Sequence, residues 1–318
     1  NIVLDVADSS IALATPFGPV GGALEGNGRF SCGFKCRVAV ASPQLTPGRC
    51  TAVGVHTNLA VAVVARHPKV EGPLTLSSFV CPASRFYVLA PRFDAKASFN
   101  ESFTSVDGAG RMAISTLTAG ANGLAAFIGD ISYTGSLTEV TGRVKLSAQK
   151  SRMATATAER TRLDAAYRLG TRNGIFDLVG DFASESSTLD PKMLDSVTVP
   201  LASAAGTPIG PVATSIGNAI GRTASRFNAA GQIRVVNFPG GGAARITGAD
   251  VRGPNGARAH ISGGSGVTFY WPKSLLRIDG MIDMGGGGLP SGRVTLRQPR
   301  AGGPLSGVAD LAPYSAKG

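Results

Sequence analysis

Along most of this chain, hydrophobic and polar residues alternate with period two. That spacing sends successive side chains to opposite faces of a β-strand. Val144, Leu146 and Ala148 oppose Lys145, Ser147 and Gln149, and Ala154, Ala156 and Ala158 oppose Thr155, Thr157 and Glu159. Leu276, Ile278, Ile282 and Met284 alternate with Arg277, Asp279 and Asp283. After Thr161 the phase shifts, so that Leu163, Ala165, Tyr167 and Leu169 oppose Arg162, Asp164, Ala166 and Arg168, as at a turn or a β-bulge. Breaks at Gly, Pro and Asn173-Gly174 predict roughly sixteen to twenty strands. Short strands are expected at 2–6 and 10–14 around an Asp8-Ser9 turn, and at 112–114, 124–128 and 131–137 between glycines.

One stretch, Leu189 to Phe227, reads as helix. Asp190-Pro191 has the form of an N-cap followed by proline at the first helical position. Met193, Leu194, Val197 and Leu201 follow at helical spacing, Pro200 interrupts or kinks that run, and Gly206 ends it. Thr207-Pro208 repeats the start signal. Ile209, Val212, Ile216, Ile220 and Phe227 then share one face, with Ser215, Asn218, Arg222 and Arg226 on the other. Such an amphipathic pair can cap a local core, or serve as a plug, gate or seam on a sheet.

An alternating strand leaves one apolar face that needs cover, and this chain has little helix to cover it. Either the sheet closes on itself as a barrel or sandwich, or it curls into an open groove whose floor is covered by something else, such as lipid acyl chains. Burial of acyl methylenes is favourable by about 0.8 kcal/mol each and needs no catalytic motif.

Composition narrows the functional classes. At 43% hydrophobic residues the chain is too apolar to be disordered. The net charge of +11 is spread singly along strands, without the basic clusters and stacking aromatics of a nucleic-acid binder. His56, His67 and His260 form no metal pattern, Ser265 lacks a nucleophile-elbow frame, and the glycine runs 240–242 and 285–288 match no phosphate loop. Accordingly no enzyme activity, catalytic residue, metal or cofactor is expected. The start at Asn1 and the ending Ala316-Lys317-Gly318 suggest a segment of a longer protein.

Cys32, Cys36, Cys50 and Cys81 all lie in the first quarter of the chain, and a clustered even set fits an oxidising compartment. Cys32 and Cys36 read as one strand, too far apart to bond unless a turn at Gly33 folds them together. Cys50–Cys81 is the first choice, each at a strand end. A zinc site and unpaired thiols stay open as alternatives, although these spacings do not form the paired knuckles zinc favours.

The order of several motifs resembles the middle part of YdbH-like envelope proteins of Gram-negative bacteria, which belong with the AsmA- and TamB-like bridges. They are Thr15-Pro16-Phe17-Gly18-Pro19-Val20-Gly21 with the Gly33-Phe34 hairpin, Glu71-Gly72-Pro73-Leu74 leading to Cys81, the helical pair, Tyr270-Trp271-Pro272, and Arg300-Ala301-Gly302-Gly303-Pro304-Leu305-Ser306-Gly307. Cys32 and Cys36 are extra to that pattern. The resemblance implies a mainly β fold, a long curved antiparallel sheet forming an open hydrophobic groove with one helical pair packed on it. Its sections would be 1–189, a helical insertion at 190–227, and 228–318. The implied role is carriage of phospholipid across the periplasm towards the outer membrane, with inner-membrane anchoring by a region outside this segment. The implied partners are phospholipid acyl chains, flanking regions of the same longer chain and an outer-membrane lipoprotein, with no nucleic acid. Leu146, Ile278 and Ile282 are candidate groove residues, and Ile209, Val212, Ile216, Ile220 and Phe227 candidate helix-face residues. The rival reading is a secreted or surface β-solenoid acting in adhesion.

Overall fold

A computed structural model describes residues 3–313 apart from 30–32, 137, 154, 171, 173, 204–205, 209, 263, 274 and 305. The chain is mainly β, with twenty antiparallel strands and one helical pair. It divides into two compact units, residues 1–149 with 166–172, and residues 150–165 with 173–318.

The first unit is built on β1 (Val3–Thr15), β2 (Gly18–Arg29), β3 (Gly33–Leu45), β4 (Thr51–Val64), β5 (His67–Thr75), β6 (Ser78–Cys81), β7 (Phe86–Leu89), β8 (Arg92–Phe99), β9 (Ser105–Ala119) and β10 (Asn122–Ser136). Each strand pairs antiparallel with its neighbour. Two ladder positions are filled by two strands end to end: β5 and β6 both pair with β4, and β8 and β7 both pair with β9. The interruptions align, because Gly54 in β4 and Ala90 before β8 both have positive φ (63° and 47°) beside Ser77, whose amide donates to Val53 and whose carbonyl accepts from Ala90. The Cys50–Cys81 disulfide ties the start of β4 to the end of β6, as the strand-end reading preferred. Cys36 is a free, buried thiol in β3, and Cys32 lies outside the described residues.

β11 (Glu139–Met153), β12 (Ala156–Gly170) and β13 (Ile175–Leu189) follow. In β12 two consecutive residues, Glu159 and Arg160, are exposed, and the inward series resumes at Thr161, which is the phase shift seen in the sequence. The second unit continues with α1 (Pro191–Ser203), α2 (Gly210–Ser225), β14 (Phe227–Phe238), β15 (Gly241–Arg252), β16 (Arg258–Ile261), β17 (Gly266–Trp271), β18 (Leu275–Gly286), β19 (Leu289–Arg297) and β20 (Ser306–Leu311). β16 and β17 again share one ladder position, between β15 and β18. Among the described pairings, β1 pairs only with β2 and β20 only with β19.

The helical pair starts as its signals indicate: Asp190 Oδ1 accepts from the Lys192 amide at 3.0 Å. α1 continues past Pro200 to Ser203, so the proline does not interrupt the helix. The most buried stripe of α2 is Gly210, Ala213, Ala219 and Ala224, with Val212, Ile216 and Ile220 half-buried beside it. Ala219 is fully buried against Ala257 and Leu289, so small residues bring the helix close to the strand ends and α2 caps a local core. Phe227 is not on that helix face. It opens β14 opposite Ser187, where an aromatic after the Ser225-Arg226 break joins the ladder instead of continuing the helix. Ile209 lies outside the described residues.

Two other expectations are corrected. β1 is one strand with a bulge between Val6 and Ser9, not two strands around a turn. The short strands expected at 112–114, 124–128 and 131–137 are parts of the 15-residue strands β9 and β10, with 137 outside the described residues. The glycines read there as turns mostly sit inside strands. A Cβ on Gly108 would lie 2.5 Å from the Tyr133 ring, one on Gly110 2.7 Å from Phe93, and one on Gly142 2.9 Å from Tyr167. In the second unit a Cβ on Gly242 would meet the Trp271 ring, and one on Gly231 the Phe182 ring. Each ring reaches over a neighbouring strand at a glycine, whose missing side chain makes room for it.

Two stability effects follow. Closing a loop of 31 residues, the disulfide contributes on the order of 3–4 kcal/mol, so reduction should lower the denaturant midpoint, and Cys50→Ser should reproduce that loss without reductant. Gly108→Val, which displaces Tyr133, should cost about 1–3 kcal/mol in the same assay, whereas Gly221→Ala, in open space on α2, should stabilise by up to about 1 kcal/mol.

Candidate functional site

Ladder register shows which side chains share a face, because directly opposed residues of antiparallel strands project to the same side. In the first unit one row reads Ile11, Gly22, Val40, Thr57, Leu74, Phe93, Met112 and Gly129. Leu146 of β11 closes over Gly129. The parallel row reads Val6, Gly26, Cys36, Val61, Val70, Ala97, Gly108 and Tyr133. Neither row holds a charge. One residue along, the opposite face carries Glu25, Arg37, Glu71 and Lys96, and Asp94, Arg111 and Asp130.

The second unit repeats the segregation. Leu178, Val235, Ala244, Phe269 and Leu276 form one row, and Gly180, Ile233, Ile246, Val267 and Ile278 the next. Ile282 pairs with both Ile261 and Val294. The other face carries Arg234, Arg245, Thr268 and Arg277. Thus Leu146, Ile278 and Ile282 lie on apolar faces, and Lys145 and Arg277 on polar ones.

The apolar faces are only partly covered. Most of their side chains are half-buried; one cluster encloses Val88, Ile114, Phe127 and Ala148, with the half-buried Phe79, Phe86, Met112, Leu117, Leu124 and Leu146 packed against it. Ile11 and Leu13 are 54% and 56% exposed, and Leu74 is 39% exposed. The chain exposes 18756 Å² in all. One compact domain of this size would expose about 12,300 Å², and two of half the size about 15,000 Å² in total.

Polar atoms on the apolar faces are tied down. The Tyr133 hydroxyl donates to the Lys96 carbonyl at 3.0 Å and the Tyr167 hydroxyl to the Ser132 carbonyl at 3.2 Å. Buried Ser42 donates to the Pro19 carbonyl at 2.6 Å. Burial pushes both tyrosine phenols above their ordinary value, Tyr133 with help from the nearby Asp107 charge and Tyr167 from Tyr133.

The polar faces offer paired charges. Arg293 binds Asp283 through both carboxylate oxygens (2.7 and 3.1 Å), and this hydrogen bonding holds the Asp283 carboxyl below the usual range. His260 Nδ1 meets Asp250 at 2.8 Å, within an open depression of about 1080 Å³. The two residues are directly opposed in the β15–β16 ladder, so the pair is a cross-strand contact. Among the described residues no group of three or more His, Cys, Asp or Glu is placed to hold a metal, and no helix is long and apolar enough to cross a membrane. The placement of aromatic rings over glycines is not read from the sequence. The available signal was glycine inside an alternating strand, a mark of close approach as well as of turns.

Comparison with protein-family models and with curated proteins found no match.

The protonation of the covered tyrosines is open to measurement. Tyr133 and Tyr167 should ionise above the ordinary phenol range in an absorbance titration, and that late component should vanish in Tyr133→Phe/Tyr167→Phe. Because the fold favours the neutral phenol, its contribution is complete below the ordinary tyrosine value of about 10 and is lost as pH rises beyond it.

Proposed function

We propose that this chain is a section of a lipid conduit, with phospholipid acyl chains lying along the charge-free face of the sheet and headgroups held at its margin. One observation carries the reading: in each unit the apolar rows cross strand after strand without a charge, and their large side chains remain accessible. An acyl chain supplies what those rows lack, since each methylene taken from water is worth about 0.8 kcal/mol whatever its position. A surface that binds by area alone needs no catalytic group.

The resemblance to YdbH-like envelope proteins supports the same reading and extends it. In that extension the chain is part of a periplasmic bridge, anchored to the inner membrane by a region outside this segment, moving phospholipid between the two membranes and meeting a lipoprotein at the outer one. The adhesin reading has less to draw on, because the strands pair antiparallel in hairpins, whereas a solenoid stacks parallel coils.

A photoreactive amino acid at Leu146 or Ile278 should capture phospholipid in cells, and one at Lys145 or Arg277 should not. Equal capture from both faces would remove the basis of the conduit.

A further inference from the structure

The charges of the first unit are unevenly placed along its strands as well as between its faces. Beyond the aligned interruption at Gly54, Ser77 and Ala90, residues 14–20, 42–55, 76–91 and 114–129 contain no Asp or Glu at all. They contain two cations, Arg49 and Arg85. Both are exposed. Neither takes part in an ion pair among the described residues, and these segments contain no carboxylate to offer one. These two arginines are therefore the positive groups of a rim without anions.

The backbone holds that rim in place. Arg49 directly precedes Cys50, and the Cys50–Cys81 bridge brings its loop against the 3-10 turn at Pro82–Ser84. Arg85 closes that turn in the left-handed region (φ 51°), its amide donating to Pro82 at 3.1 Å and its carbonyl accepting from Gly120 at 3.0 Å. A non-glycine residue keeps such a backbone only where its surroundings fix it. Directly along the strands from the rim, on the apolar face, come Phe79, Phe86, Val88 and Leu117, with Phe79 and Phe86 edge to face at 6.2 Å.

Two unpaired guanidinium groups beside an apolar floor match an amphiphile with a phosphate head. We infer that Arg49 and Arg85 receive the phosphate of a glycerophospholipid whose acyl chains lie on the Phe79–Phe86 cluster. This rests on the conduit reading and adds to it a selection for the phosphorylated lipid over its neutral diacylglycerol. Guanidinium suits the task because its planar fork donates two parallel bonds to phosphate oxygens.

The test uses the disulfide-bonded chain with three probes: fluorescent phosphatidylglycerol, fluorescent diacylglycerol with the same acyl chains, and inorganic phosphate. The wild type should bind the phospholipid about tenfold more tightly than the diacylglycerol, as expected for added charge-assisted hydrogen bonds. Arg49→Gln/Arg85→Gln should bring the phospholipid down to the diacylglycerol level and leave diacylglycerol unchanged. Arg49→Lys/Arg85→Lys should restore part of the difference, and Arg66→Gln, distant on the ion pair with Glu101, should change nothing. Unchanged phospholipid binding in the double glutamine variant would overturn the headgroup site while leaving the conduit intact. Binding of neither lipid by the wild type would overturn the conduit itself. Inorganic phosphate binding as tightly as the phospholipid would reassign the arginines to a free anion.

Discussion

The whole arrangement depends on one constraint: successive side chains of a strand leave on opposite sides, so a single-layer sheet must bury its apolar side chains against their own neighbours. A sandwich solves this with a second sheet, and an α/β fold with helices. In the first unit neither is present among the described elements, and in the second the helical pair reaches only one end of the strands. Lateral packing is what remains. It explains why the core residues form a cluster spread along one face, and why so many apolar residues stay half-buried instead of fully enclosed.

Lateral packing also accounts for the composition. A large ring standing upright on a single layer would have water on most sides. Laid across a neighbouring strand, it is covered on one face by backbone, but only where that strand has no side chain. Tyr133 over Gly108, Tyr167 over Gly142 and Trp271 over Gly242 are versions of this solution. The glycines beneath these rings are thus tied to the lack of a covering layer among the described elements.

Much of this was legible in the alternation. The faces of β11, the split phase in β12, the start of the helical pair and the preference for Cys50–Cys81 follow from spacing and strand ends, which are local properties. What was not legible depends on pairing between distant segments. Gly108 and Gly142 look like turn residues until Tyr133 and Tyr167 are placed opposite them. Phe227 continues a helical period numerically, yet its partner Ser187 lies in an earlier strand and draws it into a ladder. Val212, Ile216 and Ile220 were expected to be the buried side of α2, but close approach favours the smaller Ala219 and Ala224. The lone cations of the rim were invisible for a similar reason: Arg49 and Arg85 are 36 residues apart in sequence and are brought together by the disulfide and the β4–β6 ladder.

The outer margins of β1 and β20 have a different consequence. Among the described pairings each is bonded on one side only, so its second row of amides and carbonyls is unspent. Those groups are the same in every polypeptide, and no choice of side chain cancels them. Ile11, Leu13 and Val308 stand exposed beside them. Association at these margins would therefore be indifferent to partner sequence and governed by strand geometry, a main-chain adhesiveness that surface charge can discourage but not abolish.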